Sequence, residues 1–172
     1  MQISSLSPQG DWNRQHARVL RFLFEHGGIR SVREDYLKLA GVKELDLRVP
    51  GTSLLFATVR GEAGPVLAGA SFVAGYGKEA FLIAVHPLYR RKGIGSALLK
   101  AQLDRLGKLE CRAGLNQIPF LGLCFKAGLT ASSLTRASMG RTLLHLEGNA
   151  HNSVRRKAVP FKEGEQLCRF PS

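Results

Sequence analysis

Acidic residues are scarce: 13 aspartates and glutamates stand against 25 lysines and arginines in 172 residues, for a formal charge of +12. So one-sided a balance raises the positive potential over the surface and favours anionic partners, whether a nucleic acid or a cofactor carrying several phosphates. Cysteine is scarce too. Cys111, Cys124 and Cys168 are odd in number and lack CxxC spacing, which argues against a disulfide framework and a cysteine-rich zinc site and leaves reduced thiols as the expectation. No apolar run approaches the roughly 20 residues that span a bilayer. The opening MQISSLSPQGDWNRQ has neither a basic n-region nor an apolar h-region, so an intracellular, cytoplasmic protein is expected. Like-charge blocks are missing as well, and with 44% hydrophobic residues extensive disorder is not expected.

What is present fits one domain. A chain of this length buries roughly 70% of its unfolded surface, enough for a core of its own. Alternation in residues 1–6 predicts a strand, and Asp11 caps a helix whose Trp12, His16, Val19, Leu20, Leu23 and Phe24 share a face read as core, with Gly27 and Gly28 as its end. Ser31 and Glu34 have capping-box spacing before a second, short helix that stops at Gly41. Residues 53–59 and 66–73 form a hairpin about a turn at 60–64. The apolar run 80–85 suits a central strand buried on both faces. A helix with Ala97, Leu98, Ala101, Leu103 and Leu106 ends at Gly107, and a strand at 109–113 follows. A helix opening at Pro119 and closing at Gly128 precedes two last strands at 129–134 and 141–146. The order β-α-α-β-β-β-α-β-α-β-β predicts an α/β domain over residues 1–147, with a mixed, mostly antiparallel sheet flanked by helices. Residues 148–172 form a basic extension, read as solvated or strapped down, with a nucleic-acid or partner contact as the alternative.

The densest chemistry lies in VHPLYRRKGIGS, residues 85–96. A strand end, a tight basic loop and a helix start follow one another there, the outline of an anion site. Gly93 and Gly95 remove Cβ atoms where a phosphate approaches the backbone, and the first N–H groups of the new helix point outward with its dipole. Arg90, Arg91 and Lys92 add charge. Between positions 88 and 108 six basic residues face one acid, Asp104. The loop is neither a GxGxxG fingerprint nor a Walker loop.

An apolar strand, a V-x-P turn and Arg90-x-x-Gly93-x-Gly95 opening a helix resemble the GNAT superfamily of acyl-CoA N-acyltransferases, and the order of elements over residues 1–147 resembles it as well. The resemblance implies an acetyltransferase that uses acetyl-CoA as co-substrate and no metal, transferring the acetyl group to a primary amine by direct attack in a ternary complex. It also implies that the coenzyme pyrophosphate lies on Arg90 and the backbone N–H groups of Arg91, Lys92, Gly93, Ile94, Gly95 and Ser96. The pantetheine arm would run along Ile83 and Val85, and the Val85 amide would polarise the thioester carbonyl. An acceptor ammonium must lose a proton before attack. Glu79, eleven residues before Arg90, resembles the base glutamate of the histone-acetyltransferase branch, and His86 is a second candidate that points away from Val85.

The family pattern N-x-x-A-x-x-x-Y-x-x-x-G-F is only partly met. Counting back from Gly128 puts Cys124 where a tyrosine protonates the departing thiolate. Cys124 is therefore the candidate donor, or a small buried side chain. Asn116, one place early, could reach the coenzyme or cap a helix. The connections at 25–33 and 135–141 would line the acceptor site. Three readings compete: this enzyme, acting on a small, protein-linked or RNA-linked amine; a degenerate coenzyme-binding or interaction protein; and a nucleic-acid-binding domain, disfavoured because no RNP-like motif is present. A homodimer is left open.

Overall fold

The structure is a computed structural model that describes residues 1–6, 11–27, 33–62, 64–136 and 140–150. The Ser31 half of the capping box, Gly28, most of the 25–33 connection, part of the 135–141 connection, Cys168 and the extension from residue 151 lie outside the described residues. The described elements follow the expected order. They are β1 (Gln2–Ser5), α1 (Trp12–His26), α2 (Arg33–Ala40), β2 (Ser53–Gly61), β3 (Gly64–Ala74), β4 (Ala80–Val85), α3 (Ile94–Leu106), β5 (Lys108–Gly114), α4 (Ile118–Ala127), β6 (Thr130–Arg136) and β7 (Thr142–Asn149). Three short 3-10 turns, at Glu44–Arg48, Gly75–Gly77 and Pro87–Tyr89, are too brief to leave a periodic signal in the sequence.

The mostly antiparallel architecture is the expected one, but the strands form two sheets. β1-β2-β3-β4 is antiparallel throughout, and β5-β7-β6 stands apart from it. Helices α1 and α2 cover one face of the first sheet. Val19, Phe22 and Leu23 of α1 and Leu39 of α2 pack there with Phe72, Ala80, Leu82 and Ala84. The apolar stripe of α1 is therefore shifted from the one expected: Phe22 is buried, while Phe24 is 62% exposed and touches only the rim through Tyr36. His16 is buried and donates through Nε2 to the Leu39 carbonyl (2.9 Å), tying α1 to the end of α2. The other face carries α3 and α4, whose Leu98, Leu99, Leu103 and Cys124 are buried against β2, β3 and the second sheet. Gln102, fully buried on α3, donates from Nε2 to the Ser71 carbonyl at 3.0 Å.

One glycine turn joins the two sheets. Gly75, Tyr76 and Gly77 have φ of 57°, 59° and 96°, three successive residues in the left-handed region, which only glycine enters without strain. Tyr76 is held there: its N–H donates to the Gly51 carbonyl (2.9 Å), and Lys108 Nζ lies 4.5 Å from its ring centroid. A Cβ on Gly77 would stand 1.8 Å from the Glu110 carbonyl oxygen of β5. The Gly77→Ala variant is expected to lose at least about 2 kcal/mol of stability, because strain and a backbone clash act together at the seam. A urea-unfolding midpoint within experimental scatter of the wild type would show that the two sheets are not held there.

Candidate functional site

The site begins with the unpaired edge of β4. Its register against β3 pairs Ala84 with Ala70, Leu82 with Phe72 and Ala80 with Ala74. The His86 N–H continues that ladder to the Ala68 carbonyl at 2.9 Å. Antiparallel alternation then turns the N–H and C=O groups of Phe81, Ile83 and Val85 to the opposite edge, where β4 has no strand partner among the described residues. Side chains alternate too: Ala80, Leu82 and Ala84 face α1 and α2, while Phe81 and Ile83 face α4 and the second sheet.

A cavity of about 390 Å³ opens along this edge, within the usual size range of ligand sites. Its walls are Gly27 at the end of α1, Glu34 and Asp35 of α2, the stretch from Gly77 to Ile83, Arg112 of β5, and Gln117 and Phe120 at the start of α4. Three of these side chains are carboxylates, in a chain that has few. Glu79 is 58% exposed and ion-paired with Lys38. Asp35 is half-buried. Burial raises its pKa above the ordinary carboxylate value and neighbouring Glu34 adds to this, against a hydrogen bond from the Phe81 backbone N–H and the charges of Lys38 and Arg112.

The glycine loop lies at the other end of β4. His86 Nδ1 accepts from the Leu88 N–H (3.3 Å) and caps the Pro87–Tyr89 turn. Its ring packs between those of His26 and Tyr89, on the α1 side. Arg90 folds back, donating from Nε to the Val85 carbonyl at 3.1 Å, and Lys92 Nζ sits 5.3 Å from the Tyr89 ring centroid. Arg91 has φ of 61° and Gly93 φ of 81°, a sharp reversal that delivers the chain to α3. Gly93 is the N-cap and supplies no side-chain bond. The N–H groups of Ile94, Gly95 and Ser96 are therefore left to a ligand or solvent, although the Ile94 side chain itself is buried.

The two glycines do different things. A Cβ on Gly93 would meet nothing within 4 Å, so the backbone there is open to approach. At Gly95 the expectation of clearance for a phosphate is corrected. Its Cβ would lie 3.1 Å from Leu123 Cδ1 of α4, so the missing atom makes room for helix packing inside the protein.

In the second half of the site, the structure gathers a different set from the one expected. Cys124 is fully buried with its Sγ 3.9 Å from that of Cys111, outside the cavity lining. The Cys111 thiol and burial together push it far above the ordinary thiol range. Asn116 is exposed beside Gly114, whereas Gln117 lines the cavity and accepts from the Gly114 N–H through Oε1 at 3.0 Å. Counting back from Gly128 places Gln117 where the pattern has asparagine, a signal that was present in the sequence. Asp35 and Arg112 carried none, because nothing local says that α2 and β5 overhang the same edge.

A family model described as the acetyltransferase (GNAT) family matches residues 16–119, more than half of the chain. The chain belongs to that family. It is an acyltransferase enzyme, and the family's donor is acetyl-CoA. No curated protein matches by sequence. Among solved structures, this GNAT chain is similar to a chimera of the Vibrio cholerae spermidine N-acetyltransferase SpeG with hSSAT, at 12% identity and TM-score 0.61, over 90% of this chain and 98% of that one. It is similar to the ribosomal-protein-S18-alanine N-acetyltransferase of Escherichia coli, at 17% identity and TM-score 0.59, over 87% and 93%. An IAA acetyltransferase of Bacillus cereus follows at 16% identity and TM-score 0.55, over 86% and 98%. These likenesses are of fold.

Burial of Cys124 separates packing from proton donation. The Cys124→Ala variant is expected to keep kcat within about threefold of the wild type while losing about 1–2 kcal/mol of stability. A hundredfold fall in kcat with stability unchanged would restore the thiol as the donor.

Proposed function

We propose that this GNAT enzyme transfers an acetyl group from acetyl-CoA to a primary amine by direct attack in a ternary complex. The observation that carries the reading is the placement of the open backbone at Gly93 and of the acid-lined cavity at the two ends of the same unpaired edge of β4. Backbone N–H groups from Arg91 to Ser96, at the positive end of α3, hold the pyrophosphate, with Arg90, Arg91 and Lys92 supplying charge. The Val85 and Ile83 edge groups bind the pantetheine arm as a strand would. Cys124 is left out of the chemistry, so the thiolate departs unassisted or takes its proton from solvent.

The cavity modifies one expectation. It reaches along β4 as far as Ile83 and does not include Val85, and the Val85 carbonyl is already engaged by Arg90. The donor that polarises the thioester carbonyl is therefore the Ile83 amide, aimed where negative charge develops during attack. Gln117, in place of Asn116, holds the coenzyme arm from the α4 side.

Glu34, Asp35 and Glu79 favour an acceptor that arrives as a cation, which an alkylammonium is at neutral pH. The named acceptors of the similar structures, spermidine and the S18 alanine amine, are both amines of this kind and are the first to offer. The degenerate coenzyme-binding reading draws on the missing tyrosine at position 124. It differs in one outcome: coenzyme binding without release of free thiol.

Acetyl-CoA at about 100 times its dissociation constant is expected to stabilise the protein by roughly 2.7 kcal/mol, on the order of 5–11 °C in Tm for a chain of this size. In Gly93→Val the added side chain projects into space empty of protein, and the shift is expected to vanish relative to the variant's own baseline. A folded wild type with no shift would overturn the coenzyme site.

A further inference from the structure

We infer that Asp35 is the general base of the transfer, taking the proton from the acceptor ammonium; this rests on the coenzyme reading above. Backbone groups follow a fixed order along the open edge of β4. Going away from the glycine loop, the Val85 and Ile83 amides come first and the Phe81 amide next. Phe81 is the one whose N–H lies against the Asp35 carboxylate and favours its charged form, and both residues line the cavity. An arm paired along this edge from the loop therefore ends between Ile83 and Asp35. Two residues of strand span about 7 Å, room for a carbonyl carbon on one side and an amine nitrogen on the other.

Glu79, the base expected from sequence position, is placed less well. It precedes β4, is more than half exposed, and is committed to Lys38. Asp35 lies further in, and its charged neighbours are identifiable from each element around it: Glu34 and Lys38 on α2, Arg112 on β5, and Lys78 and Glu79 at the entrance to β4. Lys78 is paired with Glu110 (3.3 Å). Burial makes Asp35 a stronger proton acceptor than an exposed aspartate, while the charges of Lys38 and Arg112 favour its ionised form.

The step balances without a further reactant. The ammonium gives one proton to Asp35, and the freed lone pair forms the N–C bond to the thioester carbonyl. The C–S bond breaks with its electron pair on sulfur, and the second amine proton goes to that sulfur through solvent. Asp35 then returns its proton to water at the cavity mouth. The products are an N-acetyl amide, the coenzyme thiol and one proton.

Two small nucleophiles test the assignment independently of the natural acceptor. Methylamine is protonated at neutral pH and needs a base, whereas hydroxylamine is not and does not. Asp35→Asn keeps an acceptor for the Phe81 N–H. It is expected to lower kcat/KM with methylamine about 100-fold, to change it less than threefold with hydroxylamine, and to replace the plateau of the methylamine pH profile with a continuous rise as free amine accumulates at higher pH. Glu79→Gln, which removes one carboxylate from the acceptor cavity, is expected to raise KM for methylamine while leaving kcat and the shape of the pH profile as in the wild type. Equal losses with the two nucleophiles would reduce Asp35 to a positioning contact between α2 and β4. Activity near the wild-type level in Asp35→Asn, or a wild type that acetylates hydroxylamine but not methylamine, would overturn the assignment while leaving the coenzyme site standing. Failure of acetyl-CoA to stabilise the wild type would instead overturn the coenzyme reading, and this inference with it.

Discussion

The arrangement depends on one missing partner: among the described residues, β4 is bonded to β3 along one edge and to no strand along the other. Backbone N–H and C=O groups left unmet away from water cost about 1–3 kcal/mol each, so an open edge inside a fold persists only where something meets it. At one end Arg90 caps the Val85 carbonyl, and at the other the Asp35 carboxylate lies against the Phe81 N–H. The groups of Ile83 between them face the cavity. An edge occupied at both ends and open in the middle presents one extended stretch of backbone to the cavity. The two ends also differ in charge, with Arg90, Arg91 and Lys92 at one and Glu34, Asp35 and Glu79 at the other.

Much of this was legible in the sequence because it is local. The Gly93-x-Gly95 loop, the apolar run of β4 and the glycine stops of the helices are each set by a few consecutive residues, and the structure has them where they were expected. The α1 stripe was nearly so. Phe22 and Phe24 lie only two residues apart, on opposite flanks of the stripe, and the sequence gives no reason to prefer either until the position of β4 chooses Phe22.

Tertiary placement was what the sequence withheld. The split between the sheets is not encoded in any single strand: the apolar β4 reads as a central strand and β5 simply as a strand. Asp35 carries no signal in the sequence, because its place in the cavity comes from α2 lying against the end of β4. Cys124 shows the reverse error. Its spacing from Gly128 placed it at a reactive position, but the α4 helix turns that position toward Cys111 and Leu99, inside the core. Motif spacing fixes a residue along the helix axis; only packing fixes which face it shares with the cavity.

The seam explains why the gap neither closes nor spreads. Gly77 brings the turn before β4 into backbone contact with Glu110, Lys78 pairs with that same residue, and the Tyr76 ring lies under Lys108. Three contacts from consecutive residues thus pin β5 to one end of β4. At the far end Gly95 lets α3 approach Leu123 of α4, which keeps the helices between the strands. With a pin at one end and helices wedged at the other, β4 and β5 are held apart at a set distance, and the cavity lies in the space between. Strain in the Gly75–Gly77 turn is therefore structural with a functional consequence. It is accepted at the seam because three contacts across it, from Tyr76, Gly77 and Lys78, hold β5 against the turn before β4.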